Sequence, residues 1–292
     1  MRQTGSGSWR RRRLLVSAAV VAAVVVTVVC AYLLVATSTV TSTSVGIRLL
    51  QFNMCGHSCR DAASDKVAGV VDSLADFHPA AATLNELCRS HLAGIVAGTA
   101  DRGWAMHARF IVTQPDGCAG EGDYGNAVLT RSPVINTDAL TYAAQVPGNP
   151  EHRGLLCVTA ELGDRPTHIC TTHIVDSFDD PVGDVRRTQI ALAARRVDSY
   201  GGPVVLMGDF NALPPDNAMS VLYTKKHGDG GNGEFEEIGQ GSHTCRCGEP
   251  TRFGSKLDYI FVSSRDFDVV DEDLRASRFS DHKALLGRVT VR

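Results

Sequence analysis

The stretch Val204-Val205-Leu206-Met207-Gly208-Asp209-Phe210-Asn211 constrains this chain more than any other. Its four apolar residues read as a buried strand. Gly208 breaks the run, and Asp209 and Asn211 then follow two apart, on one face of extended backbone. A core strand thus ends by presenting a carboxylate beside an amide. A plain Asx-type turn is the competing reading, because Asp and Asn often make one. The remaining sequence has to decide between them.

The N-terminus reads separately. Arg10 to Arg13 form a basic cluster, and Leu14 to Ala36 is almost wholly apolar or small. As a helix at ~1.5 Å per residue the run reaches about 35 Å, enough for a bilayer core of roughly 30 Å. It exceeds the usual signal-peptide core of about 7–15 residues. The expectation is a basic cytoplasmic segment 1–13, a transmembrane signal-anchor 14–36, a Ser/Thr-rich linker 37–46 and a domain 47–292 outside the membrane. If the segment is cleaved near Val35-Ala36-Thr37, the domain is secreted.

Five of the 29 basic residues precede Leu14, and no acidic residue precedes Asp61. The domain therefore holds 24 basic against 32 acidic residues, a formal net charge of −8. Such a globule does not draw a polyanion through its overall field. Eight of the nine cysteines follow the apolar run, an even number that suggests disulfides. Leu155–Glu161 and Thr167–Ile174 read as a hairpin that sets Cys157 opposite Cys170. A zinc site built from Cys55, Cys59, Cys245 and Cys247 is the alternative, at unusual ligand spacings.

Along the domain, helical periodicity covers Asp65 to Phe77, Arg89 to about Ala100 and Asp184 to Tyr200. Strands are expected at Ile47–Phe52, Ala80–Leu84, Trp104–Val112, Asn126–Thr130, Val134–Tyr142, Leu257–Val262 and Ala284–Val291. Strands outnumber helices, and helices fall between strand groups. This pattern points to two packed sheets with helices outside. The notable polar residues sit at strand ends: Asn53, Glu86, Asn126, Arg153, His173, Asp209, Asn211, Asp258, Asp281 and His282. Carboxylates and amide oxygens suit a hard cation such as Mg²⁺, and histidine suits proton transfer at neutral pH. An Asp bonded to a His fixes its tautomer.

The ordered motifs Leu50-Gln51-Phe52-Asn53, Leu84-Asn85-Glu86, Tyr124-Gly125-Asn126, Thr172-His173, Gly208-Asp209-Phe210-Asn211, Leu257-Asp258-Tyr259 and Ser280-Asp281-His282 resemble the endonuclease/exonuclease/phosphatase superfamily, the fold of deoxyribonuclease I and neutral sphingomyelinases. The resemblance implies a four-layered α/β sandwich, two mixed β-sheets flanked by helices, behind the N-terminal transmembrane helix. It implies Glu86 as principal metal ligand, with Asn53 and Asp281 beside it. Asp209 and Asn211 would handle phosphate and water. His282 would be the catalytic histidine, paired with Asp258, and His173 a second one. Asn126 and Arg153 would contact phosphate. The cofactor would be Mg²⁺, with Mn²⁺ or Ca²⁺ as alternatives. Asn85 departs from the family's usual Gln, and the carboxylate partner of His173 is open between Glu121 and Asp123.

For substrate, an extracytoplasmic deoxyribonuclease I-like endonuclease acting on DNA competes with a sphingomyelinase-like phospholipase C, and with a non-catalytic scaffold. Arg186, Arg187, Arg195 and Arg196 offer a basic patch or a solvated helix face. The N-terminal helix makes the membrane a partner, and no obligate protein partner is implied.

Overall fold

The computed structural model describes residues 46–56, 59, 61–226, 230–239 and 245–292. Its elements run β1 (Ile47–Asn53), α1 (Ala63–Phe77), β2 (Ala81–Cys88), α2 (Arg89–Asp101), β3 (His107–Gln114), β4 (Tyr124–Thr130), β5 (Asn136–Thr141), β6 (Gly154–Leu162), β7 (Arg165–His173), α3 (Asp184–Asp198), β8 (Val204–Asp209), β9 (Phe235–Ile238), β10 (Asp258–Ser263), β11 (Phe267–Arg275) and β12 (Ala284–Val291). They form two six-stranded sheets, ordered β11-β12-β1-β2-β4-β3 and β5-β6-β7-β8-β10-β9.

Side-chain alternation along the central strands builds the layers. Leu49 and Val289 of the first sheet meet Val205 and Met207 of the second in a shared core. Leu50 and Phe52, on the opposite face of β1, pack with Val70, Leu74 and Ile95 of α1 and α2. Leu206 turns away from the shared core toward Ile190, Ala193 and Val197 of α3. Strands covered on both faces are apolar throughout, which is why Val204 to Met207 carries no polar position. Gly208 does not break β8 as expected. The strand continues to Asp209, and a Cβ at Gly208 would lie 2.0 Å from the Thr172 carbonyl oxygen. The glycine lets β7 and β8 close together.

Both sheets are mixed. β1 and β2 are parallel, as are β7 and β8. The pairs β1–β12 and β8–β10 are antiparallel. β9 and β11 were not anticipated: β9 is four residues long, and β11 is an exposed, acidic edge strand. Among the described residues no helix is long and apolar enough to cross a membrane. The expected anchor 14–36 lies outside them.

Four disulfides join Cys55–Cys59, Cys88–Cys118, Cys157–Cys170 and Cys245–Cys247. The cysteines of the zinc alternative are thus paired locally. Cys157 and Cys170 are directly opposed in the β6–β7 ladder, which turns through Gly163-Asp164, both at positive φ, as a two-residue hairpin demands. Replacing both Cys157 and Cys170 by Ser is expected to lower unfolding free energy by about 3 kcal/mol, the loop-closure value for a loop of roughly 15 residues. Urea denaturation measures it.

Candidate active site

Parallel strands deliver their last residues to one edge. Asn53 pairs with Asn85 across β1–β2, and His173 with Asp209 across β7–β8. β10 runs the other way and starts there, with Asp258 opposite Asp209. His282 precedes β12 at the same end. The two sheets meet side chain to side chain: Asn53 Nδ2 donates to Asp209 Oδ2 at 3.1 Å and to Glu86 Oε1 at 2.8 Å.

Local backbone aims these groups. β2 shifts register between Leu84 and Leu87, and Glu86 adopts a φ of 57°. A bulky residue there is an outlier that surrounding structure must hold. The Gly56 N–H bonds the Glu86 carbonyl at 2.6 Å, and the Glu86 N–H bonds Asn126 Oδ1 at 3.3 Å. Asp209 Oδ1 accepts the Asn211 N–H at 2.9 Å, with Asn211 at a φ of 47°. Both readings of this stretch therefore hold: the Asx turn forms, and by occupying one oxygen it leaves Oδ2 to face the site.

A cleft of about 440 Å³ opens here, lined by Glu86, Tyr124, Glu151, Arg153, His173, Asp209, Asn211, Arg252 and Asp281 among others. The two histidines at this strand edge are in opposite states, His173 lining the cleft and His282 buried beside Asp209. His282 Nδ1 bonds Asp258 Oδ2 at 2.7 Å, and its Nε2 lies 3.6 Å from Asp209 Oδ2. Burial opposes its charge, but Asp258 and Asp209 win and push its pKa up to about 9. Asp258 responds: burial would raise it, yet the His282 cation holds it below the ordinary carboxylate value. Asp209 is pushed up to about 7 by burial and by Asp258.

His173 is held neutral. Burial and then Arg153 drive its pKa well below the ordinary value. Arg153 Nη1 sits 2.6 Å from His173 Nδ1. A neutral imidazole has one lone-pair nitrogen, and this contact with a permanent donor claims it. This contact favours the hydrogen on Nε2, which lies 3.3 Å from Asn211 Nδ2 and 3.8 Å from the carboxylates of Glu86 and Asp209.

Asn53 Oδ1 accepts the Cys55 N–H at 3.0 Å, and its NH₂ bridges the two carboxylates. Two expectations need correction. Asn126 is buried beneath the site as an acceptor for Asn85 and Glu86 and does not line the cleft. Asp281 lines the cleft, but its charge is met by Arg252 at 2.6 Å. The carboxylate at His173 is neither Glu121, bound to His91, nor Asp123, bound to Arg89. It is Glu151, 3.8 Å from Nδ1 and 3.0 Å from Arg153, with its carboxyl raised by burial to about 7. Arg153 stands at the cleft as expected, half of this pair.

Other contributors were missed. Asn85 ties the sheets together, with Oδ1 accepting the Asp209 N–H at 3.0 Å and Nδ2 donating to the Thr172 carbonyl at 3.2 Å. Lys66 is buried and donates to the carbonyls of Cys55, Gly56 and Cys59, bracing the turn after Asn53. Two of the α3 arginines are engaged locally, Arg187 with Asp184 and Arg196 with Asp138. Tyr124 carried a sequence signal, standing inside one of the ordered motifs, whereas Arg252 lay outside them. Glu151 had none, because only the fold brings its loop to His173.

Carboxylate oxygens of Glu86 and Asp209 lie within 4.8 Å of each other and of His173 Nε2. Hard oxygens dominate this set, with Asn53 holding both carboxylates from below, and the chemistry fits a divalent cation.

A two-sheet sandwich with a carboxylate–histidine cleft at its strand ends is the arrangement of a family whose enzymes hydrolyse phosphoester bonds and generally use divalent metal ions. The chain belongs to the endonuclease/exonuclease/phosphatase family, whose model matches residues 50–282. It is 31% identical over 160 residues to a UPF0294 protein of Yersinia pseudotuberculosis, an alignment covering 53% of this chain and 50% of that protein. The chain thus spans about half the length of the curated relatives it matches. Among solved structures, an endonuclease/exonuclease/phosphatase from Beutenbergia cavernae superposes with a TM-score of 0.67 at 20% identity, covering 84% of this chain and 72% of that one. D. rerio TDP2 complexed with single strand DNA product superposes with a TM-score of 0.64 at 13% identity, covering 84% and 99%.

Proposed function

We propose that this chain is a divalent-metal-dependent phosphodiesterase, an extracytoplasmic nuclease of the deoxyribonuclease I type. One observation carries the reading: two histidines around a single carboxylate, one held as a cation by Asp258 and one held neutral by Arg153. Groups pushed apart in this way divide acid and base work.

The scissile phosphate lies among Asp209, Asn211, His173 and His282. Asp209, a carboxylate of raised pKa, takes the proton of the attacking water. Asn211 orients that water. His173 donates Nε2–H to a non-bridging phosphate oxygen. His282 gives its proton to the departing oxygen, and Asp258 stabilises its cation beforehand. Glu86 would anchor Mg²⁺, Mn²⁺ or Ca²⁺, whose contribution is to neutralise charge on the phosphate.

The single strand DNA product bound to TDP2 supports a nucleic-acid substrate. The four disulfides support an oxidising compartment, and the apolar run 14–36 supports a membrane anchor or a cleaved signal. A lipid reading draws on Phe178 and Val182, which are exposed on the loop after β7. Plasmid nicking with added Mg²⁺, Mn²⁺ or Ca²⁺, beside hydrolysis of sphingomyelin vesicles, tests the proposal. Nicking is expected. Hydrolysis of sphingomyelin alone would replace the substrate assignment, and inactivity on both would reject the reading.

A further inference from the structure

The turn Arg252-Phe253-Gly254-Ser255 begins at Arg252, a residue that lines the cleft. It is a tight two-residue hairpin: Arg252 N–H bonds the Ser255 carbonyl at 2.9 Å, and Ser255 N–H bonds the Arg252 carbonyl at 2.7 Å. Its two central residues have φ values of 41° and 84°. Such turns favour Asn, Asp or Gly first. Here the first central residue is Phe253, a bulky side chain in left-handed backbone, and it is 83% exposed. The sequence thus accepts both strain and apolar exposure at one position, beside a residue that lines the cleft.

The turn is also keyed to the catalytic frame. Arg252 bridges to His282 through the backbone, and Lys283 N–H bonds the Thr251 carbonyl at 2.8 Å. Arg252 uses Nε and Nη2 on a single oxygen of Asp281, at 2.7 and 2.6 Å. Its Nη1 makes no hydrogen bond to any described residue. The guanidinium lies over the Phe253 ring, 5.4 Å from the centroid. The other cleft arginine, Arg153, is buried and committed to Glu151 and His173. Arg252 is 37% exposed and oriented in advance. An arginine fixed in this way is a ready donor to a phosphate oxygen.

We propose that Arg252 and Phe253 form a nucleotide-recognition tip, in which Arg252 binds a phosphate oxygen of the substrate and Phe253 stacks on the base attached to that phosphate. A cation paired with a flat apolar face matches a nucleotide, which carries an anion and an aromatic ring in close succession. The assignment rests on the nuclease reading and narrows it to substrates whose base is unstacked at the cleft, a single-stranded or frayed end.

Calorimetric titration of the full-length protein with inorganic phosphate and with thymidine 5′-monophosphate, in Mg²⁺, separates the two roles. Arg252→Ala is expected to weaken both ligands by about tenfold. Arg252→Lys recovers only part of this, because the fork is lost. Phe253→Ala is expected to weaken the nucleotide by about tenfold and leave phosphate within about twofold, while Phe253→Trp retains nucleotide affinity. On a single-stranded oligonucleotide both alanine variants raise KM with kcat nearly unchanged. The tip is overturned if Arg252→Ala binds phosphate like the wild type, if Phe253→Ala binds both ligands like the wild type, or if the wild type binds neither. Loss of binding to phosphatidylcholine vesicles, with nucleotide affinity intact, would also overturn base stacking. Failure of the nuclease reading itself shows differently, as a wild-type protein that cleaves no oligonucleotide.

Discussion

His282→Ala lowers kcat for phosphodiester cleavage by about 10³-fold, within the range of roughly 10²–10⁴ for loss of a general acid, and does so without changing the fold. The ring is buried between two carboxylates, at 2.7 Å from Asp258 and 3.6 Å from Asp209. That environment raises its pKa to about 9, so the proton needed by the leaving oxygen is present at neutral pH. The pH–rate profile of the wild type accordingly falls on its alkaline side as His282 loses that proton. In Asp258→Asn the fall moves to lower pH, because the largest favourable charge is gone. An unchanged alkaline limb in Asp258→Asn would show that another group sets it. The stability of the cation-free protein follows the same ionisation. A histidine whose folded pKa is raised stabilises fully below the unfolded value near 6.5 and loses that contribution as pH rises through about 9. Denaturant titrations at pH 6 and pH 9.5 should therefore differ more for the wild type than for His282→Ala.

Glu86→Gln has the second large effect, on the cation. Divalent-cation affinity falls by about 100-fold, since a hard ion loses its anchoring carboxylate while the amide retains the shape. Calorimetry with Mg²⁺ or Mn²⁺ reads this directly, independent of turnover. Activity at limiting cation falls with it and recovers in part as the ion is raised. Glu86 is turned into the cleft by left-handed backbone and held by the Asn53 amide. A Gln at this position turns one of its two groups against that donor. Retained affinity in Glu86→Gln would move the cation to another part of the cleft.

The strand positions and the Cys157–Cys170 pair were legible because period and register are local properties. β6 and β7 are neighbours in sequence, so opposed residues follow from counting. Asp209, Asp258, His173 and His282 were legible because they end or begin apolar strands, and apolar strands of one sandwich share an edge. Glu151 was not. It lies in an irregular segment between β5 and β6, carries no period, and acquires meaning only from burial beside Arg153 and His173. Phe253 was equally silent, since exposure and φ are not written in composition.

Sequence alone determined the alternation of strands and helices, the family motifs and the identity of the groups brought to the cleft, because side-chain chemistry and strand period are fixed residue by residue. Tertiary structure decided how those groups are used. It turned the Asn53 oxygen to Cys55, paired Asp281 with Arg252, put Asn126 below the cleft and set His173 and His282 in opposite charge states. Those outcomes depend on distance and desolvation between residues far apart in the chain, and both come into being only when the two sheets pack.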